Sequence, residues 1–381
     1  MNDLERAIEE NVEDTAARAV YADWLAQNGD PLRGELIVLS LGNDRTKTQA
    51  MIDQHTEHFL GALAPHQRTY DGEKREAFSW KYGFIHGARL SHNYYAEKLE
   101  GGLAPILRDL LAHPSGRFLA ELVMTFNRDP NEDNLQELID ILAEVERPTI
   151  RKLHVGDFKY AGAARSIDRG GESEISWYSA GDLSKLWPAM PRLATLIVQS
   201  GSSESALSGG TTLGELALPN LRHFEFRTGG LESANCESIV AMRAPKLEFL
   251  DVWFGQPQYG NDCTLEHVQK LLARTDLPRL RHLGIMNCEI VDDVIPALAK
   301  SELLAQLTEL DLSLGCMTET GVRAITEHRD RFAHLAKLDV SYNYLDDAAI
   351  GALKGIAKEL VAGNQREAPG EDDDRYAAVG E

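Results

Sequence analysis

The sequence predicts an α/β fold: a solenoid with a curved parallel β-sheet on its inside, helices on its outside, and a helical capping module at its N-terminus. Three observations predict this. One apolar pattern recurs eight times from residue 119 onward, most recurrences lie close to 28 residues apart, and amphipathic helical stretches fall between them. A chain of 381 residues would otherwise suggest two or three conventional domains, but in a repeat array length no longer counts domains. The expected division is 1–98 as the capping module, 99–362 as the solenoid, and 363–381 as an acidic disordered tail.

Within residues 1–98 the recurring pattern is absent. The stretch DTAARAVYADWLAQNGDPLRGELIVLSL (14–41) predicts a helix with Asp14 as N-cap and an apolar face of Ala17, Val20, Tyr21, Trp24 and Leu25. Asn28, Gly29, Asp30 and Pro31 stop it, and a second helix runs from about Leu32 to Leu41. WKYGFIHGARLS (80–91) is expected to supply the first strand of the array through Phe84, Ile85 and Leu90. An open solenoid end exposes apolar core, so covering it is the physical task expected of this module.

The recurring pattern reads apolar, two variable, apolar, one variable, apolar. It begins as Leu119, Leu122 and Met124, and it ends as Leu335, Leu338 and Val340. The copies start at 119, 150, 193, 221, 247, 280, 307 and 335. Two apolar residues separated by one position point to the same face of a strand, so they anchor it to the core while the residue between them faces out. Between strands, LEHVQKLLAR (265–274) places Leu265, Val268, Leu271 and Leu272 on one helical face. Helices are wider than the strand spacing of about 4.8 Å, so stacking strands on one side and helices on the other curves the array.

LAKLDVSYNYL (335–345) matches L-x-x-L-x-L-x-x-N-x-L in full, and LRHLGIMNCEI (280–290) carries Cys288 at the Asn/Cys position. On these residues the chain resembles leucine-rich-repeat proteins of the ribonuclease-inhibitor type over roughly residues 100 to 360. At the ninth repeat position Asn127 and Asn343 are expected to satisfy backbone groups where the chain leaves the strand, with Cys288 filling the same slot. RAVYADWLAQNGDPLRGELI (18–37) is similar to a short repeat-companion domain found ahead of leucine-rich repeats in large-genome bacteria such as planctomycetes and myxobacteria, over roughly residues 2 to 41. That resemblance implies a bacterial, intracellular setting and assigns no chemistry. AAIGALKGIAKEL (348–360) is expected as the last helix.

A formal charge of -21 argues against nucleic acid as partner, because phosphate recognition needs a clustered Lys/Arg surface. No basic and apolar leader opens the chain and no stretch approaches about 18 consecutive apolar residues, so a cytoplasmic location away from any membrane is expected. Cys236, Cys263, Cys288 and Cys316 lie far apart and suit reduced, buried thiols. His55 and His58 lack a third ligand nearby and suit a solvated helix face; no metal or cofactor is expected. The glycine pairs Gly170-Gly171 and Gly209-Gly210 lack the context of a phosphate loop, and no nucleophile elbow occurs. The sequence therefore nominates no catalytic residue, and a separate catalytic domain of the kind bacterial ubiquitin-ligase effectors carry is not expected within these residues.

The outward strand positions carry the functional expectation. The fifth repeat position contributes Val123, His154, Ile197, Glu225, Asp251, Gly284, Asp311 and Asp339, acidic in its C-terminal half. The third and seventh positions add, among others, His223, Arg227, Phe249, Trp253, His282 and Met286. Ile197, Phe249, Trp253 and Met286 are expected side by side on an open face beside Arg227, and aromatic residues, Met and Arg are the types enriched in interface cores. The expectation is a chain, monomeric when unbound, that grips a protein partner along this face. Regulation of a GTPase, as some leucine-rich-repeat proteins perform, is the alternative, without a residue to nominate for it. The 158–181 insertion is expected to present Trp177 and Tyr178 on a small hairpin strand at ISWYS, either toward a ligand or against the adjacent unit.

Overall fold

A computed structural model describes residues 3–69, 75–91, 101–125, 135–156, 160–161, 166–167, 175–202, 210–367 and 375–380. The sheet opens with an antiparallel hairpin, β1 (Phe78–Lys81) and β2 (Phe84–Leu90). Its two-residue turn places Tyr82 and Gly83 at φ of 51° and 76°, the left-handed pair that matches strand twist. Gly83 has a second reason to lack a side chain, since a Cβ there would come within 2.6 Å of Ile37.

The chain continues through β3 (Glu121–Met124), β4 (Lys152–Val155), a small hairpin of β5 (Tyr160–Ala161) and β6 (Ser166–Ile167), then β7 (Thr195–Gln199) and β8 (His223–Arg227). It ends with β9 (Phe249–Gly255), β10 (His282–Cys288), β11 (Glu309–Asp311), β12 (Lys337–Asp339) and β13 (Glu359–Val361). Among the described residues, eleven strands form one open sheet in chain order, with only β5 and β6 outside it. Within that sheet every strand pairing from β2 onward is parallel, while β5 and β6 pair antiparallel.

The register follows the apolar pattern. Leu122, Leu153, Leu196, Phe224, Leu250, Leu283, Leu310 and Leu338 stand opposite one another across eight strands. None is more than 1 % exposed. They join helix residues such as Leu110, Leu142, Val268, Ile295 and Ile325 in one continuous core. Burial of each such side chain contributes about 1.5–3 kcal/mol, and a one-residue slip would reverse the two faces. The helices pack side by side behind the strands: Val291–Lys300 lies between Leu265–Leu272 and Glu319–Glu327. Leu265–Leu272 is fixed at its start by a capping box between Thr264 and His267.

Asn343 performs the expected backbone role. Its Nδ2 donates to the carbonyls of Leu312 (2.9 Å) and Val340 (3.0 Å), and its Oδ1 accepts from the Met317 amide (2.8 Å). Cys288 is fully buried at the equivalent position, whereas Asn127 falls outside the described residues.

In the N-terminal region Asp14 caps the helix Thr15–Gln27 by accepting from the Ala17 amide (2.9 Å), and Asp30 caps Pro31–Leu41 by accepting from Arg33 (3.0 Å). The buried face differs from the expected one. Tyr21 and Leu25 are buried, but Val20 is exposed and Trp24 lies at the surface, stacked on Tyr21 at 5.7 Å. Arg18 is buried instead, its guanidinium 4.5 Å from the Phe118 ring while Nη2 donates to the Val12 carbonyl (3.1 Å). A cation held over aromatic faces substitutes there for an apolar side chain, which apolar patterning alone does not reveal.

Three further expectations are corrected. The last helix covers only Asp347–Leu353; the chain then turns through Gly355 at φ 75° into β13, because Leu360 continues the in-register apolar row after Leu338. ISWYS forms no hairpin strand: Ile175–Trp177 is a single 3-10 turn that leaves Trp177 exposed and Tyr178 buried. Residues 375–380, expected within a disordered tail, lie against the sheet with Ala377 and Val379 buried. Gly170, Gly171 and Gly209 fall outside the described residues.

Candidate functional site

Strand alternation sends the third, fifth and seventh repeat positions to the face of the sheet opposite the helices. The fifth-position residues stand in the expected row: Ile197 opposite Glu225, Glu225 opposite Asp251, Gly284 opposite both Asp251 and Asp311, and Asp311 opposite Asp339. Beside them the third position forms a parallel row of Lys152, Thr195, His223, Phe249, His282, Glu309 and Lys337.

At the centre of that second row three rings stack. Phe249 lies flat between the imidazoles of His223 (4.1 Å) and His282 (3.8 Å), each inclined by 7°. Parallel strands repeat at about the thickness of a ring stack, so identical rotamers on adjacent strands bring planar side chains face to face. Carboxylates hold the outer rings. His282 Nε2 bonds Asp251 (2.8 Å) and its Nδ1 bonds Glu309 (3.1 Å), while His223 Nε2 bonds Glu225 (2.5 Å). Arg227 donates to the other oxygen of Glu225. Gly284 makes room for this arrangement, since a Cβ there would fall 2.1 Å from an Asp251 oxygen.

Two opposed effects set the charges. Burial would raise the Glu225 carboxyl, but His223 and Arg227 outweigh it and hold the group down at about 2 against an ordinary 4.5. Burial would lower His282, but its bonds to Asp251 and Glu309 outweigh that and raise it above the ordinary 6.5. His154, by contrast, is driven down to about 4 by burial despite its 2.7 Å bond with Gln199, so it stays neutral near pH 7. A group with a raised folded value contributes stability below its unfolded value and loses that contribution as pH rises through the folded one. Chemical denaturation should therefore show stability falling as pH rises above about 6.5, with a smaller slope in His282→Gln. Identical pH slopes in the two proteins would contradict the assigned pairing.

The predicted site residues divide into two groups. Ile197, His223, Arg227 and Phe249 are half-buried and reachable from solvent. Glu225, Asp251, Asp311 and Asp339 are in the predicted row but buried. Asp311 accepts from the Ser313 amide (3.0 Å), and Asp339 accepts from the amide and hydroxyl of Ser341 (3.0 and 2.6 Å). The acidic column is thus a set of short Asp-x-Ser turns and paired carboxylates rather than an open acidic strip.

Trp253 and Met286 are corrected further. They lie on the expected face, side by side, yet are 1 % and 0 % exposed. Ile175, Leu314 and Val379 cover them in a small apolar cluster separate from the main core. Apolar patterning misses this cover because residues 375–380 follow an acidic run; the apolar Ala377-Ala378-Val379 is the available signal.

Among the described residues no group of three His, Cys, Asp or Glu side chains could hold a metal ion. His58 instead bonds Asp30 (2.8 Å) and packs edge-on to Phe59. Cys236, Cys263, Cys288 and Cys316 are free thiols, and burial pushes Cys316 up to about 12. No described helix is long and apolar enough to cross a membrane.

No protein-family model matches the sequence, and no curated protein matches it. Solved structures do. A Bacteroides fragilis protein is similar at 22% identity and a TM-score of 0.64, covering 89% of this chain and 86% of its own. An internalin from Listeria monocytogenes aligns at 14% identity and a TM-score of 0.31, over 67% of this chain and 69% of its own. The first likeness is one of fold: an α/β chain built around a long, open, mostly parallel sheet.

Proposed function

We propose that this chain is a leucine-rich-repeat protein with ribonuclease-inhibitor-type units and a capping N-terminal module, and that it is a non-enzymatic scaffold or regulator. In this reading it binds a protein partner on the sheet face opposite its helices. One observation carries the reading: Phe249 is held flat and half-buried between two carboxylate-anchored imidazoles. A rigid aromatic presented among desolvated charged pairs, with Arg227 and Glu309 at its margin, is the composition of an interface anchor. The repeat identity is supported by the in-register apolar row and by the Asn343 backbone bonds. The capping role is supported by a second apolar cluster in which Ile8, Tyr21 and Ile37 pack on Phe84 of β2 and on Phe118.

The test is retention of partner from a native lysate on the immobilised chain. Phe249→Ala removes a side chain outside the main core, so the fold should persist while affinity for the retained protein drops by about 30-fold or more, or 2 kcal/mol. Equal retention by folded wild-type and Phe249→Ala chains would remove the anchor and this reading with it.

A further inference from the structure

The cover over Trp253 and Met286 is built like a bound peptide. Residues 376–380 run across the open face, and most of their backbone polar groups meet side chains of the sheet side rather than a neighbouring strand. Asn287 makes a reciprocal pair with one residue: its Nδ2 donates to the Val379 carbonyl (2.6 Å) and its Oδ1 accepts from the Val379 amide (2.8 Å). Gln256 Nε2 donates to the Ala377 carbonyl (2.8 Å), the Ala377 amide donates to Glu289 (3.3 Å), and the Ser176 hydroxyl donates to the Gly380 carbonyl. The Ala378 amide donates to the Leu314 carbonyl (2.8 Å).

Side-chain specificity is present at two positions. Val379 fills the apolar cluster of Ile175, Trp253, Met286 and Leu314. At position 380 a Cβ would fall 2.3 Å from the Tyr259 ring, so a residue larger than glycine would have to push that ring aside. Asn287 is fully buried and holds a left-handed φ of 51°, a conformation that costs energy in a non-glycine residue and here aims its amide at the segment. Backbone bonds that fix register, together with pockets that read side chains, are how extended peptides are recognised.

We propose that this cleft is a peptide-binding site for an extended Ala-Ala-Val-Gly segment of a partner protein, and that residues 376–380 occupy it in cis in competition with that segment. A segment tethered to its own site acts at an effective concentration on the order of mM, so it closes the cleft without high intrinsic affinity. A partner segment must then outcompete a weak but local ligand. The site is distinct from the Phe249 stack, so the two proposals fail separately.

The test uses the whole chain and a fluorescein-labelled RYAAVG peptide, the sequence of residues 375–380, read by fluorescence anisotropy. Val379→Asp should displace the segment in cis, so that variant should bind the peptide at least 10-fold more tightly than wild type. Adding Asn287→Ala should reverse the gain at least 10-fold, and an RYAAVA peptide should bind no variant. If Val379→Asp loses its far-UV circular dichroism, a wild-type chain cut at a protease site placed within residues 369–373 replaces it. The cut segment should exchange with labelled peptide after dilution. No binding to a folded, opened chain, or binding indifferent to Asn287→Ala, would overturn the proposal. Phe249→Ala should leave peptide binding unchanged.

Discussion

Trp253→Ala is expected to destabilise the protein by about 3–5 kcal/mol, the range for removing a large buried aromatic side chain. Its ring is 1 % exposed and packs with Ile175, Met286, Leu314 and Val379, elements that come from four separate stretches of chain. Arg227 lies 5.9 Å from its centroid, which links the cluster to the charged row. Met286 is held in β10 and Ile175 in the 3-10 turn, whereas Val379 belongs to a segment outside any strand or helix, so release of residues 375–380 is the expected response to the cavity. Part of the loss should therefore appear as local opening. A urea titration should show a lowered midpoint, and trypsin should cut at Arg375 before the global transition. A variant with an unchanged midpoint would mean that this face is not packed as described.

Asn343→Ala is expected to cost about 3 kcal/mol. The side chain is fully buried and bonds the Leu312 and Val340 carbonyls and the Met317 amide. Alanine leaves those buried backbone groups unpaired, at about 1–3 kcal/mol each before relaxation. The loss should reach the neighbouring unit, because the bonds to Leu312 and Met317 tie the end of β12 to the residues that follow β11. Amide exchange measured by mass spectrometry should show faster exchange in residues 310–318 as well as 338–345. Acceleration confined to 338–345 would contradict a bond between units.

Much of the fold was legible because the determinants are local and periodic. A period of two in each strand fixes which face is inward, so the apolar row from Leu122 to Leu338 and the outward row of Asp251, Asp311 and Asp339 follow from the pattern alone. The ring stack follows from the same register, since His223, Phe249 and His282 occupy one repeat position on successive strands. What pattern could not give is occupancy. Whether an outward Trp253 or Met286 meets solvent depends on Val379, over ninety residues away in sequence, and no periodicity records that contact. The Asp-x-Ser turns failed for a related reason: a carboxylate at an outward position reads as exposed charge, although Ser341 two residues later accounts for it. Arg18 shows the converse, a cation read as surface that aromatic faces hold inside.

The sheet face opposite the helices is the surface proposed to meet a partner. Carbodiimide labelling of carboxylates, with and without the retained partner, tests it directly. Glu309 on that face and Glu266 on a helix have side chains 46% and 72% exposed, so both label in the free chain. Partner binding should reduce labelling of Glu309 and leave Glu266 unchanged. Protection of Glu266 with Glu309 unaffected would place the partner on the helices and contradict binding on the sheet face.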